Sequence, residues 1–199
     1  MKPHFPVLLV LLIQIICLVK TKKCPNGDNI YEWGISADGK KVAVSEHNKY
    51  RRAIMDGKVP GQPKGKNILT MTYDDELGKK GQLVSKTCKM QHVIASDNRW
   101  RHVGQNLFIS WNSVKSCDQN WAEAIRYWYT EYKLYKYPNR PSAATGHYTQ
   151  LVWHDSSKIG CDFICFYDST KPQYPYARLY TCNYGPGGNI IGLAPYALA

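Results

Sequence analysis

The chain of 199 residues is predicted to form an α+β fold. Apolar residues recur at helical spacing in its earlier part, whereas alternating and apolar runs typical of strands fill its later part. The composition, 44% hydrophobic and 21% charged, is that of a globular protein and excludes a disordered chain. Helices that precede a set of strands favour stacked layers of both kinds around one core.

Residues 1–21 are predicted to be a signal peptide. A short basic start precedes an apolar run from Phe5 to Val19, which is shorter than the roughly 20 residues that a bilayer requires. We expect cleavage between Cys17 and Lys23, and a retained signal anchor is the alternative. Residues 22–199 would then be a single secreted domain that does not span a membrane.

Three helices are predicted from periodicity and capping residues. The first runs from Val42 to Met55. The second follows a cap and acidic first turn at residues 72–75. The third begins after Asp118. Its apolar stripe is the clearest in the chain and consists of Trp121, Ile125, Trp128, Tyr132 and Tyr135.

Four strands are predicted in the remainder. They cover Val103 to Ile109, Tyr148 to Trp153, Lys158 to Tyr167 and Tyr176 to Asn183. A turn near Pro172 would join the last two strands into an antiparallel pair.

Four segments, in this order, carry a resemblance to a known family. They are Glu46-His47-Asn48-Lys49-Tyr50-Arg51, Gly104-Gln105-Asn106-Leu107, Gly146-His147-Tyr148-Thr149-Gln150-Leu151-Val152-Trp153 and Tyr180-Thr181-Cys182-Asn183-Tyr184-Gly185-Pro186-Gly187-Gly188-Asn189. Together they resemble the CAP superfamily of cysteine-rich secretory, antigen-five and pathogenesis-related proteins. The chain is most similar to its venom-allergen-like branch, known from helminths and arthropods. The resemblance covers residues 42–189 and implies a three-layer α-β-α sandwich with a central antiparallel sheet. We expect His47 and Arg51 to brace the first helix against the sheet.

Six cysteines follow the predicted leader, an even number that is typical of disulfide-bonded exported proteins. The sequence alone leaves their pairing open. The resemblance implies bridges between Cys161 and Cys182 and between Cys88 and Cys165, and it leaves Cys24 to pair with Cys117.

The resemblance also implies a cleft with a tetrad of two histidines and two acidic residues. The matching positions are His92, Gln105, Glu131 and His147, so that glutamine replaces one of the acids. Two imidazoles and a carboxylate suit a divalent cation such as Zn²⁺, which His92 and His147 would hold. The missing carboxylate would weaken that binding, and Gln105 would orient an imidazole or a water. The alternative is a polar cluster that only orders the cleft.

An aromatic, proline-containing loop before His147 corresponds to a sterol-binding segment in members of the family. Its candidate lipid-contacting residues are Tyr135, Tyr137, Pro138 and Arg140. Exposed rings can cover an apolar ligand while basic side chains meet a polar head. The alternative is that Tyr135 continues the third helix's stripe into the core.

Three functions follow from these features. The leading hypothesis is a secreted protein that binds sterols, fatty acids or other small lipids in host interaction or defence. The first alternative is a metal-assisted hydrolase or protease that uses the histidine and glutamate cleft. The second is an immunomodulatory protein that binds a host receptor or a glycosaminoglycan.

Catalysis is the less favoured function. The chain has no His-Glu-x-x-His or Gly-x-Ser-x-Gly motif, and six paired cysteines would leave no free thiol. The net charge of +11, or +9 without the two leader lysines, favours solubility or an anionic partner. Nucleic acid is not expected as that partner, because the basic residues form scattered pairs rather than one run.

Overall fold

A computed structural model describes residues 22–199, so the predicted signal peptide lies outside the described residues. No helix within this range is long and apolar enough to cross a bilayer. The main sheet has the strand order β1-β5-β6-β4, and β3 adds to it by parallel pairing with β5. In chain order the elements are β1 (Ile30–Trp33), α1 (Ala37–Met55), β2 (Gly65–Lys66), β3 (Thr72–Tyr73), α2 (Asp75–Ser85), β4 (Gly104–Asn112), α3 (Trp121–Thr130), a 3-10 turn (Glu131–Lys133), α4 (Gly146–Leu151), β5 (Lys158–Tyr167), β6 (Tyr176–Gly185) and β7 (Ala197–Leu198).

Alternating side chains of the central strands bury both faces of the sheet. On one face, Phe163 and Tyr180 pack with the apolar stripe of α3 and with α1. On the other face, Ile164 and Leu179 pack with Val84 of α2. The helices therefore cover an antiparallel sheet from both sides, which confirms the predicted α+β three-layer sandwich.

Side-chain caps set the starts of the long helices. Ser36 accepts a hydrogen bond from Gly39 N, so α1 begins five residues before the predicted Val42. Asn120, rather than the predicted Asp118, caps α3 by accepting from Glu123 N. The Asp118 carboxylate instead accepts a hydrogen bond from the Ser116 hydroxyl.

The predicted strand from Tyr148 to Trp153 is wrong, because the segment forms the short helix α4. A run of consecutive buried residues fits either a strand or a buried helix, and this one is too short to show a period. Glu131 decides the conformation locally, because its carboxylate accepts the N–H groups of His147 and Tyr148 in the first turn.

Two of the three predicted disulfides are wrong. The structure pairs Cys24 with Cys88 and Cys117 with Cys165, and only the bridge between Cys161 and Cys182 agrees with the prediction. The reason is the two-residue alternation of β5. Cys165 points to the α1 and α3 side of the sheet, whereas Cys88 follows α2 on the opposite side, where it meets Cys24.

Candidate functional site

A cleft of 890 Å³ opens beside the start of β4. Its volume lies in the range of small-molecule sites, and its walls combine apolar and polar side chains. Two of the four predicted tetrad residues, His92 and Gln105, line it. The other lining residues are Lys80, Val93, Ile94, Ala95, Ser96, Asp97, Asn98, Trp100, Arg101, His102, Val103, Gly104, Gln150, Gly188 and Asn189.

Gln105 of β4 connects His92 and Val93, on the wall of the cleft, to the sheet by hydrogen bonds. Its Oε1 accepts hydrogen bonds from His92 Nδ1 at 3.0 Å and from Val93 N at 3.3 Å. Its Nε2 donates to Val93 O at 3.1 Å and to Asn183 Oδ1 at 2.9 Å. A carboxylate at this position could not donate the last two bonds. The glutamine therefore fits the partners around it, and it orients the His92 ring.

Glu131 builds the other half of the tetrad, at the end of α3. Its Oε1 accepts from His147 Nδ1 at 2.6 Å, and its Oε2 accepts from the backbone N–H of His147 at 2.9 Å and of Tyr148 at 3.0 Å. The His147 ring lies over Trp128, with 6.3 Å between ring centroids. One carboxylate thus caps α4 and fixes the orientation of the imidazole.

Both tetrad histidines are held through Nδ1. Because the acceptors are the Gln105 amide oxygen and the Glu131 carboxylate, each Nδ1 carries a proton when the ring is neutral. The Nε2 lone pair of His92 and of His147 is then the free acceptor, which is the arrangement found in metal-ligating histidines. Glu131, with three bonds already, serves as the orienting group.

A metal needs more donors than these two imidazoles. The described residues contain no group of three or more His, Cys, Asp or Glu side chains placed to hold a metal ion. Structural zinc sites use four protein ligands and catalytic zinc sites use three. Since Gln105 replaces one acid and Glu131 is committed to His147 and α4, the residues present do not fit a tightly held cation.

A buried hydrogen-bond chain runs from α1 to the backbone of His147. His47 Nδ1 donates to Ala43 O at 2.7 Å, and its Nε2 accepts from the Tyr184 hydroxyl at 2.8 Å. Asn106 Nδ2 donates to that hydroxyl at 3.1 Å and to His147 O at 3.0 Å. Burial lowers the pKa of His47 to about 3, so the ring is neutral at neutral pH.

The part that Asn106 and Tyr184 play in this series of hydrogen bonds was not predicted from the sequence. Both lie in motif segments, and both are buried. The signal that could have found them is the alternation of β4 and β6. It places Asn106 opposite Cys182 and on the same face as Tyr184.

The structure separates the four predicted lipid-contacting residues into two groups. The Tyr135 ring is buried, with 4% of the residue exposed, and its hydroxyl donates to Asn139 O at 2.9 Å. The prediction of Tyr135 as a lipid contact is therefore wrong, because the residue extends the core stripe beyond α3. Tyr137 is half-buried, stacks on Tyr196 and donates to Tyr196 O at 2.7 Å. Pro138 and Arg140 are exposed.

Leu134 is an exposed apolar residue in this loop that sequence analysis missed. Leu134 is 65% exposed, and it lies in the sequence between the exposed Lys133 and the buried Tyr135. The helix ends at Thr130, and Leu134 follows the 3-10 turn Glu131–Lys133.

Comparison with known proteins shows that the chain is similar in sequence to venom and salivary antigens. A sequence model described as the cysteine-rich secretory protein family (CAP) matches residues 44–184. Venom allergen 5 of Tityus serrulatus is 34% identical over 87% of this chain, which spans 42% of that protein's length. Salivary antigen-5 of Dipetalogaster maximus is 34% identical over 81% of this chain and 67% of its own length.

A solved structure gives the same architecture. The crystal structure of NaASP2 with Zn²⁺ superimposes with a TM-score of 0.68 at 24% identity, over 88% of this chain and 90% of that one. At this identity the likeness concerns the fold. The relatives compared are named as a venom allergen and a salivary antigen, and the family is described as cysteine-rich secretory proteins.

Proposed function

Because the chain belongs to the cysteine-rich secretory protein (CAP) family, we propose that it is a secreted protein that captures sterols or other small lipids in host interaction or defence. The ligand would lie against residues 134–140. The observation that carries the proposal is a solvent-facing apolar side chain, Leu134, on a segment whose neighbouring rings are fixed.

Fixed rings favour binding because these side chains lose little conformational entropy when the ligand binds. Tyr135 anchors the segment in the core, and Tyr137 is held by stacking on Tyr196, with 5.1 Å between ring centroids. The ligand would therefore contact Leu134, Pro138 and the open edge of Tyr137. This changes the predicted role of Tyr135 from ligand contact to support.

Basic side chains border the apolar contact. Lys133, Lys136 and Arg140 are exposed and make no ion pair with another described residue. They would meet the carboxylate of a fatty acid or the hydroxyl of a sterol. Both ligand classes therefore belong in the same test.

Leu134→Asp is expected to reduce saturable binding of labelled cholesterol or palmitate about tenfold, because a carboxylate would replace the central apolar contact. Binding is measured with the oxidised protein and competed with unlabelled ligand. Val114→Asp is the matched control, since Val114 is also exposed, 74%, but lies in the loop after β4. Equal losses in both variants, or no saturable binding by the native protein, would contradict lipid capture at this segment.

Export is supported by the names of the relatives, which are venom and salivary antigens. The predicted signal peptide and three disulfides agree with an oxidising, extracellular destination.

A metal-assisted hydrolase is the second candidate, and the free Nε2 atoms of His92 and His147 are the observation in its favour. NaASP2, which has a similar fold, was crystallised with Zn²⁺. The donor set counts against the hydrolase, because the described residues contain no group of three or more His, Cys, Asp or Glu side chains placed to hold a metal ion.

Zinc is expected to bind weakly, without saturation at micromolar metal, because two imidazole ligands leave half of a tetrahedral shell to water. Isothermal titration of Zn²⁺ into metal-free protein measures this, with the double variant His92→Ala and His147→Ala as the control. Saturable micromolar binding that the double variant lacks would contradict the expectation and restore the metal candidate.

A further inference from the structure

Positive charge is concentrated on one part of the surface. The described residues carry a net charge of +9, because Lys2 and Lys20 precede them and all 15 acidic residues fall within them. Residues 52–66 and 133–140 contain seven cations and a single carboxylate, Asp56, and so account for +6 of that charge. We call these cations the basic face: Arg52, Lys58, Lys64, Lys66, Lys133, Lys136 and Arg140.

Direct contacts hold the two segments of the basic face together. Gln62 Nε2 donates to Tyr132 O at 2.9 Å and to Tyr135 O at 2.8 Å. Tyr196 bridges them a second time: its hydroxyl donates to Pro63 O at 3.3 Å, while its carbonyl accepts from Tyr137. The two segments that carry the seven cations are therefore neighbours in the folded protein.

The charges of the basic face are almost uncompensated. All seven side chains belong to exposed residues. Among the described residues, only Lys58 has a carboxylate within 4.0 Å, that of Asp56. Of the 17 described cations outside the basic face, six form ion pairs, namely Lys40, Lys41, Lys49, Lys79, Lys80 and Arg99. A surface of like charges that the protein does not neutralise attracts an external anion.

Exposed leucines accompany these cations. Leu134, which is 65% exposed, lies between Lys133 and Lys136, and Leu198, which is 49% exposed, lies on β7 opposite Gly65 of β2. A sulfated polysaccharide offers no apolar phase to such side chains, whereas a lipid bilayer offers one directly beneath its charged headgroups. The combination of cations and leucines therefore favours a membrane over a polysaccharide.

We propose that the basic face docks the protein on the surface of a membrane that contains anionic lipids. This inference deepens the proposed function, on which it rests: residues 133–140 contribute to the basic face, so docking would bring the lipid-capturing segment to the bilayer. The orientation follows from the positions of Leu134 and Leu198, which would enter the headgroup layer while the cations meet phosphates and carboxylates.

Vesicle co-sedimentation tests the docking. The probes are phosphatidylcholine vesicles with and without phosphatidylserine, at low (about 50 mM) and high (about 500 mM) salt. We expect the protein to sediment only with the anionic vesicles, and high salt to release it. Lys64→Glu with Lys66→Glu should weaken binding about tenfold or more, since each cation near such a surface contributes roughly a fivefold factor.

The matched control is Lys86→Glu with Lys89→Glu, which changes the net charge equally at exposed positions after α2. An equal loss in both double variants would overturn the proposal, as would sedimentation with neutral vesicles alone. Retention on heparin at physiological salt without vesicle binding would assign the basic face to a polysaccharide and also overturn it. Soluble cholesterol binding by the Lys64 and Lys66 double variant should be unchanged, so failure of docking and failure of lipid capture are distinguishable.

Discussion

Arg51→Met should lower the free energy of unfolding by about 3–5 kcal/mol, because the substitution leaves a set of buried carbonyl groups without donors. Arg51 is 1% exposed. Its guanidinium donates only to backbone oxygens, namely those of Leu69, Leu151, Trp153, His154 and Ser156. Burial lowers its pKa to about 9, which keeps it charged at neutral pH. The side chain thus joins α1 to two segments far away in sequence.

Urea unfolding followed by tryptophan fluorescence measures the effect at neutral pH. Arg51→Lys is the informative companion, because it keeps the charge but replaces a planar group of five donors by a single ammonium. Its loss should lie between those of the native protein and Arg51→Met. A loss below about 1 kcal/mol for Arg51→Met would show that water satisfies the carbonyls and that the arginine is dispensable.

The free energy of unfolding should begin to fall below pH 6.5, before most carboxylates protonate, because His47 is buried in its neutral form. Its pKa is lowered from 6.5 to about 3, chiefly by burial. Below pH 6.5 the unfolded chain therefore binds a proton at His47 that the folded protein does not. Stability falls by about 1.4 kcal/mol per pH unit in this window, or about 2–3 kcal/mol by pH 4.5.

Stability curves between pH 7 and about 4.5 measure this loss. His47→Gln should be less stable at neutral pH but should show a flatter pH dependence, since an uncharged amide cannot take up the proton. His102→Gln, at an exposed position, is the control and should keep the native slope. Equal slopes in the native protein and His47→Gln would show that another group governs acid sensitivity.

Local patterns were enough to predict the hairpin of β5 and β6. Two apolar runs separated by a proline-containing turn specify it, and the observed strand Lys158–Tyr167 has the predicted bounds. The stripe of α3 likewise specified which face enters the core. These elements are predictable because each repeats its signal over at least two turns or several alternations.

The disulfides and α4 were not predictable in the same way. The partner of Cys165 depends on which face of β5 it occupies relative to α2, and that information comes from the sheet order. The conformation of Tyr148 depends on a carboxylate 17 residues earlier. Both outcomes follow from contacts between distant residues, which a local pattern does not encode.

The candidate site likewise has features that the sequence predicts and features that depend on contacts between distant residues. Its members Gln105, Glu131 and His147 were identified by resemblance, but the donor requirement at Gln105 emerged only with Val93 and Asn183 around it. Tyr135 shows the opposite error. Its place next to a proline loop favoured exposure, whereas its continuation of the α3 stripe decided its burial.

The double role of the Glu131 carboxylate has a consequence for mutagenesis. Because it caps α4 and holds His147 at once, Glu131→Ala would reshape the cleft as well as remove a functional group. Loss of activity in that variant would not identify an acid or a base. Substitutions that remove the imidazole Nε2 atoms of His92 and His147 but leave Glu131 in place would test a functional role without disturbing the start of α4.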